Sequence, residues 1–276
     1  IRFGGGLGDM ERHTHGISGR PRFEEEAVNY LQWNGFGSSG FLYTGDDDES
    51  GGWSDRPQFA QWMSNYDTGQ YAYLAHHTNC CTASGTRTYL NSNASADSSL
   101  LRNYIHDEIV GDVRAGWDAG WAGSKNSGNY SENSQTNLGN VPGFLLETLF
   151  HDSATDCSYY RDPRFRMILG RAIGQGFIKY FANKNGVPVV LPPEVPTNLR
   201  VRNLGGGQVE IAWNAPPFNT GDNLLGDAAT GYKVFRSTNG YGFDNGTAIS
   251  ASPAVISGLT PGNLYFFRVC ATNGGG

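Results

Sequence analysis

Residues 141–182 read VPGFLLETLFHDSATDCSYYRDPRFRMILGRAIGQGFIKYFA, and this stretch decides the fold. Its first ten residues are an apolar run that predicts a buried strand interrupted by one carboxylate, Glu147. After a polar loop, Asp162-Pro163 is typical of a helix start and Asn185-Gly186 of a helix end. Between them, apolar residues recur at helical spacing: Phe165, Ile168, Leu169, Ala172, Ile173, Phe177 and Phe181. The stretch predicts a strand followed by a helix that packs on a sheet.

The residues before this stretch repeat the same alternation. Residues 71–77 (YAYLAHH) predict a second buried strand, whose carboxyl end carries two histidines and opens into a crevice. Residues 22–33 predict one helix and residues 98–117 another, the latter with apolar residues at intervals of four: Leu101, Ile105, Ile109 and Val113. We therefore expect an α/β fold with a mainly parallel sheet flanked by helices.

A proline-rich segment separates this part from an all-β part. Residues 187–196 (VPVVLPPEVP) hold four of the twelve prolines and predict a stiff linker, because proline lacks the N–H that regular structure needs. After it, short alternating strands separated by Gly, Pro and Asn turns predict a sandwich (197–201, 208–213, 231–237, 248–250 and 263–272). The expected organisation is an α/β domain at 1–185, a linker at 186–196 and a sandwich at 197–276.

Composition excludes several classes of function. The chain has 276 residues, a formal net charge of −6 and 20 scattered Lys and Arg residues, so we expect no nucleic-acid partner. No apolar run approaches the ~18 residues that a membrane-spanning helix needs. The low Lys content and the abundance of Gly, Asn, Ser, Thr and Tyr indicate a secreted or cell-surface protein.

The four cysteines predict no structural zinc cage, because none lies in a CxxC pair. Two alternatives remain for Cys80, Cys81 and Cys157. One is a disulfide from Cys157 to Cys80 or Cys81. The other, which we favour, is that the adjacent cysteines are small buried residues without a bridge.

Glu147 and the histidines at 76 and 77 are the candidates for chemistry. A carboxylate in an apolar strand costs several kcal/mol to bury without a partner, so Glu147 is either a paired structural residue or a general base beside a metal-bound water. A histidine at a strand end is either a hydrogen-bonded core residue or a zinc ligand. His76 and His77 cannot both face one side of the strand. The acidic residues 45–56 (GDDDESGGWSDR) lack calcium-loop spacing and predict a solvated loop.

Several motifs after the linker resemble those of a fibronectin type III domain. They are the proline-rich entry, the strand ending in Trp213, the strand GYKVFRS, and Leu259-Thr260-Pro261-Gly262 followed by Tyr265 and Val269. The resemblance implies a fibronectin type III sandwich at 197–276. The last strand that it implies after Asn273 is absent, so we expect a truncated sandwich.

The stretch 141–182 resembles the closing segment of zinc-dependent N-acetylmuramoyl-L-alanine amidases, and LAHHTN resembles their strand that ends in a metal-binding histidine. The resemblance implies a peptidoglycan hydrolase with His77 as a Zn²⁺ ligand and Glu147 as the catalytic carboxylate. IRFGGGLGDM, SGRPRFEEEAVNYLQWNGF and FDNG resemble a secreted bacterial subgroup, some members labelled xanthan lyases, that adds a golvesin-type insertion.

One departure from the family leaves three alternatives open. The family's earlier ligands, a Gly-His-Gly type histidine and a glutamate, are not found before His77 in the family's form. We expect the remaining ligands upstream of Ile1, with this chain as a carboxyl-terminal portion. Alternatively, His13, His15 and one of Glu24, Glu25 and Glu26 rebuild the site with His77. The third alternative is a non-catalytic surface or filament component that binds glycan or self-assembles.

Overall fold

The computed structural model describes residues 30–31, 48–65, 68–81, 83–220 and 224–275. The predicted helix at 22–33, apart from Tyr30 and Leu31, lies outside these residues, as do the alternative ligands His13, His15 and Glu24, Glu25 and Glu26. Every helix in the described ranges is too short or too polar to span a bilayer. The described residues divide into two compact units, one of residues up to 110 and 120–167, the other of residues 111–119 and from 168 onward.

The α/β part contains one four-stranded sheet with helices before, between and after its strands. In chain order the elements are α1 (Asp48–Ser64), β1 (Tyr73–Asn79), β2 (Thr86–Leu90), α2 (Ala96–Gly116), β3 (Gly123–Ser127), a 3-10 turn (Ser131–Asn133), α3 (Gln135–Leu138), β4 (Gly143–Phe150), α4 (Ala154–Arg161) and α5 (Pro163–Asn185).

The sheet confirms the predicted fold class. Its strand order is β1-β4-β2-β3, with β1 parallel to β4, β2 parallel to β3, and only the central pair antiparallel. The strand with His77 and the strand with Glu147 therefore lie side by side and end at the same edge. Crevices at the carboxyl ends of parallel strands are where open α/β sheets bind ligands.

The buried face of α2 confirms its predicted amphipathic pattern. Leu101, Ile105, Ile109 and Val113 are fully buried. On β4, Phe144, Leu146 and Phe150 are also fully buried, which agrees with the apolar run that predicted this strand. The predicted start and end of α5 match its observed limits, Pro163–Asn185, and its fully buried Tyr180 is a core residue that the apolar stripe omitted.

The solvated loop predicted for residues 45–56 is wrong from residue 48 onward. Helix α1 begins at Asp48 and continues through Pro57 to Ser64. Its side chains bond to the rest of the unit, with Gln58 Nε2 donating to Asn137 Oδ1 at 3.2 Å. Asp55 is fully buried. Tertiary contacts thus stabilise a helix that its glycines and acidic residues disfavour locally.

The second unit includes two three-stranded antiparallel sheets, which confirms the predicted sandwich. Its strands are β5 (Thr197–Gly205), β6 (Gln208–Asn214), β7 (Gly231–Ser237), β8 (Thr247–Ile249), β9 (Ala254–Ile256) and β10 (Phe266–Thr272). The sheet orders are β5-β6-β9 and β10-β7-β8. The core between them is made of Ile211, Trp213, Val234, Ala254 and Val269.

Ile211→Val is expected to destabilise the sandwich by about 0.5–1.5 kcal/mol. Ile211 is fully buried in the core of the sandwich, so loss of one methyl group leaves a small cavity. Hydrogen exchange of the β6 amides measures the change in opening free energy. Val255→Ala is the control, because Val255 on the adjacent strand is 54% exposed. Equal losses in the two variants would contradict the assignment of Ile211 to the core.

Candidate functional site

A cavity of about 400 Å³ lies beside β1 and β4 and contains both residues that the amidase resemblance singles out. Its walls come from α1, the two strands and the 3-10 turn with the loop before it. The lining residues are Trp53, His77, Thr78, Asn129, Tyr130, Ser131, Glu132, Leu145 and Glu147.

His77 and Glu147 are neighbours across the parallel pair of strands. The Cα partner of His77 on β1 is Glu147 on β4. Because side chains alternate along a strand, residues paired in this way lie on the same face of the sheet. His76, one residue earlier, is exposed and does not line the cavity.

Several groups hold the Glu147 carboxylate. Asn79 Nδ2 donates to Glu147 Oε2, and the Tyr89 hydroxyl donates a hydrogen bond to the same side chain. Burial raises the pKa of Glu147, and the nearby charge of Glu132 adds to this, while the Tyr89 hydrogen bond and the charges of His77 and Arg87 oppose it. A carboxylate with a raised pKa is a better proton acceptor near neutral pH.

A bulge in β4 follows Glu147 directly. The register moves from His77 opposite Glu147 to Asn79 opposite Phe150, so three steps on β4 face two on β1. Leu149 within it has φ of 71°, which non-glycine residues rarely adopt. Bulges are frequent beside active sites, where they redirect side chains. Here the bulge lies where the Asn79 amide meets Glu147.

Glu132 is a third ionisable group in the cavity, and sequence reasoning missed it. Its side chain is 10% exposed, and its Oε1 lies 2.6 Å from Arg56 Nη2 and 2.9 Å from His77 Nε2. In the sequence Glu132 lies in a polar stretch, SGNYSENSQTNLGN, that looks like a solvated loop. No local pattern signals its burial, because the partners are 76 and 55 residues away.

The turn that carries Glu132 is fixed by the adjacent Asn133. Its Nδ2 donates to the carbonyl oxygens of Tyr89 at 3.1 Å and Gly128 at 3.0 Å. Its Oδ1 accepts from Tyr130 N at 3.2 Å and from Asn91 Nδ2 at 3.3 Å. Because Asn133 is almost fully buried and all four hydrogen-bonding positions are used, Glu132 is held in a defined place.

The donor types in the cavity suit zinc, which accepts imidazole nitrogen and carboxylate oxygen. His77 fits as one ligand, since its ring lines the cavity. Within the part of the chain that the structure describes, no three His, Cys, Asp or Glu side chains gather in an arrangement that would hold a metal ion. A complete first shell would need donors from outside the described ranges.

The predicted alternatives for the cysteines are both wrong. Cys80 and Cys81 form a disulfide with each other, and Cys157 is a free thiol whose Sγ contacts the carbonyl oxygen of His151 at 3.2 Å. Cys80 and Cys81 are exposed because they lie just past the end of β1, at the rim of the sheet. Their position beyond the strand explains why they are not core residues.

Comparison with known proteins separates the two parts of the chain. Residues 194–276 match the fibronectin type III domain. Chitinase A1 of Niallia circulans is 34% identical over 84 residues, which are 30% of this chain and 10% of that protein. The chain thus spans about a tenth of the length of this curated relative.

Among solved structures, the CwlD amidase from Clostridioides difficile in complex with the GerS lipoprotein has a TM-score of 0.40 and 18% identity, covering 51% of this chain and 67% of that one. The N-acetylmuramoyl-L-alanine amidase from Clostridium difficile 630 has a TM-score of 0.41 and 18% identity. The match covers 60% of this chain and 87% of that one. For the second part of the chain, the family match and the two antiparallel sheets lead to the same conclusion. Residues 194–276 are a fibronectin type III domain.

Proposed function

We propose that this protein is a zinc-dependent hydrolase that cleaves the amide bond between N-acetylmuramic acid and L-alanine in peptidoglycan. The observation that carries the proposal is the pairing of His77 with Glu147 on adjacent parallel strands, both lining one cavity. The sequences around both residues resemble the corresponding segments of that amidase family, which supports the choice of substrate.

In this proposal His77 is a zinc ligand and Glu147 is the general base. Zinc held there by His77 and further ligands would supply a bound water of lowered pKa and a Lewis acid for the amide carbonyl. Glu147 takes a proton from the attacking water and passes it to the leaving amine of L-alanine. Asn79 and Tyr89 orient the Glu147 carboxylate through their hydrogen bonds. The remaining zinc ligands come from residues outside the described part.

The fibronectin type III domain would act as a spacer or a surface-binding module in a secreted or cell-surface protein. Two features support this location: a disulfide between Cys80 and Cys81 persists in oxidising compartments, and the composition has few lysines. The golvesin-type insertion and the xanthan lyase label remain predictions. Eliminative cleavage of a polysaccharide needs no pair of a metal-binding histidine and a glutamate base, so we favour the amide as the bond cleaved.

Zinc content and product analysis of the full-length protein test the proposal. We expect about one zinc per chain, as in catalytic sites with three protein ligands, and release of peptides with a free amino-terminal alanine from purified sacculi. The control is the same assay after chelation, which should stop the release. Release of reducing sugars without free alanine would contradict the assignment to an amidase.

A second candidate is a non-catalytic surface or filament component that binds glycan or self-assembles. In this candidate the described residues, which do not gather three metal donors, receive no further donors from the rest of the protein. It predicts no bound zinc and no free alanine, together with retention of the protein on sacculi. The two candidates therefore give opposite results in the zinc and product assays.

A further inference from the structure

The burial of the Glu132 carboxylate must be compensated by other groups. Moving an ionised carboxylate out of water without compensation is expensive, yet only 10% of this side chain is exposed. Arg56 supplies the compensating charge from α1, at 2.6 Å. The same oxygen, Oε1, also lies 2.9 Å from His77 Nε2. The Glu132 carboxylate therefore contacts both the Arg56 guanidinium and the His77 imidazole that lines the cavity.

The contact between His77 Nε2 and Glu132 is short but not aligned as a hydrogen bond. The atom is buried and has no aligned hydrogen bond, although Glu132 Oε1 is within contact distance. A buried ring nitrogen without a partner costs about 1–3 kcal/mol, so a small rotation of the ring that turns a proton on Nε2 toward the carboxylate lowers the energy. The neutral ring then carries its lone pair on Nδ1, since only one ring nitrogen is protonated in that form.

We infer that Glu132, held by Arg56, is a positioning residue that fixes His77 with its proton on Nε2 and its lone pair on Nδ1. Histidines that bind metals commonly donate their other ring N–H to a carboxylate, which sets the tautomer and strengthens the ligand. Glu132 is unsuited to being a ligand through Oε1, because the Arg56 guanidinium already donates to that oxygen. The metal-binding part of the inference rests on the proposed function, whereas the tautomer does not.

Long-range proton–nitrogen spectra of the metal-free chain at pH 8 test the tautomer. The His77 signals are assigned by their loss in His77→Asn. We expect the wild-type ring to be protonated on Nε2, and Glu132→Leu to shift the ring to a mixture of both tautomers. Glu132→Gln should keep the Nε2 proton, because its amide oxygen still accepts. A wild-type ring protonated on Nδ1 would overturn the inference, even if Glu132→Leu does not fold.

Zinc affinity provides the second readout. In the full-length protein, Glu132→Leu should weaken zinc binding about 10–100-fold, and Glu194→Leu is the matched control. Glu194 also pairs with an arginine, Arg171 at 2.8 Å, and its side chain is 16% exposed, but it lies in the other unit. Equal affinity in Glu132→Leu and wild type would refute the positioning role. Lack of zinc binding by the full-length wild type would instead refute the proposed function, and the tautomer measurement would then be the test of the positioning role.

Discussion

Glu147→Gln is expected to lower peptide release from sacculi by about 10²–10⁴-fold, the range for loss of a general base, while the zinc content stays unchanged. Gln has the same length, and its amide oxygen still accepts from Asn79 Nδ2, which donates to the carboxylate in the wild type. It cannot take a proton from water near neutral pH, so the proton-transfer step is lost while the local packing is kept. Rates and bound zinc are measured on the same preparations.

The control for Glu147→Gln is Glu210→Gln in the sandwich. Glu210 pairs with Arg202 at 3.1 Å on the surface, and exposed pairs contribute ~1 kcal/mol or less, so this variant should release peptide at the wild-type rate. A normal rate in Glu147→Gln with zinc bound would show that another group takes the proton. Loss of zinc in that variant would show that Glu147 is a ligand and not a base.

The strand pattern predicts that His77 and Glu147 lie near the same edge of the sheet. Each residue interrupts or ends an apolar run, and parallel strands bring their carboxyl ends to one edge. The register that makes the two residues direct neighbours could not be predicted, because it depends on how β4 inserts between β1 and β2. Short polar strands such as β3, with the sequence GSKNS, carry no apolar alternation and were missed for that reason.

The groups that surround the pair were beyond sequence reasoning. Arg56, Tyr89 and Glu132 come from three separate elements, and none of them interrupts or ends an apolar run that would single it out. Their roles arise from contacts across long sequence separations, such as the 76 residues between Arg56 and Glu132. A buried polar network of this kind leaves no periodic pattern, whereas apolar burial does.

Asp156 is a second residue whose role, here in the stability of the fold, could not be predicted from the local sequence. The sequence places it in a polar loop, yet it is fully buried at the start of α4. Its Oδ2 accepts from Phe150 N at 2.8 Å and from Gly85 N at 3.2 Å, and its Oδ1 accepts from the hydroxyl of Ser84. One carboxylate thus joins the end of β4, the entry to β2 and the first turn of α4.

Asp156→Ala is therefore expected to destabilise the α/β part by about 3–5 kcal/mol, because each hydrogen bond to a charged group contributes ~1.5–3 kcal/mol and buried N–H groups lose their acceptor. Asp156→Asn should recover most of this, since its oxygen can serve the two backbone N–H groups and its NH₂ can donate to serine hydroxyls. Chemical denaturation followed by the helical circular dichroism signal measures both. Asp107→Ala is the control, because this side chain is 66% exposed beside Lys125 and should cost ~1 kcal/mol or less. If the Ala and Asn variants lost equal stability, the charge of Asp156 and not its hydrogen-bond geometry would hold these three elements together.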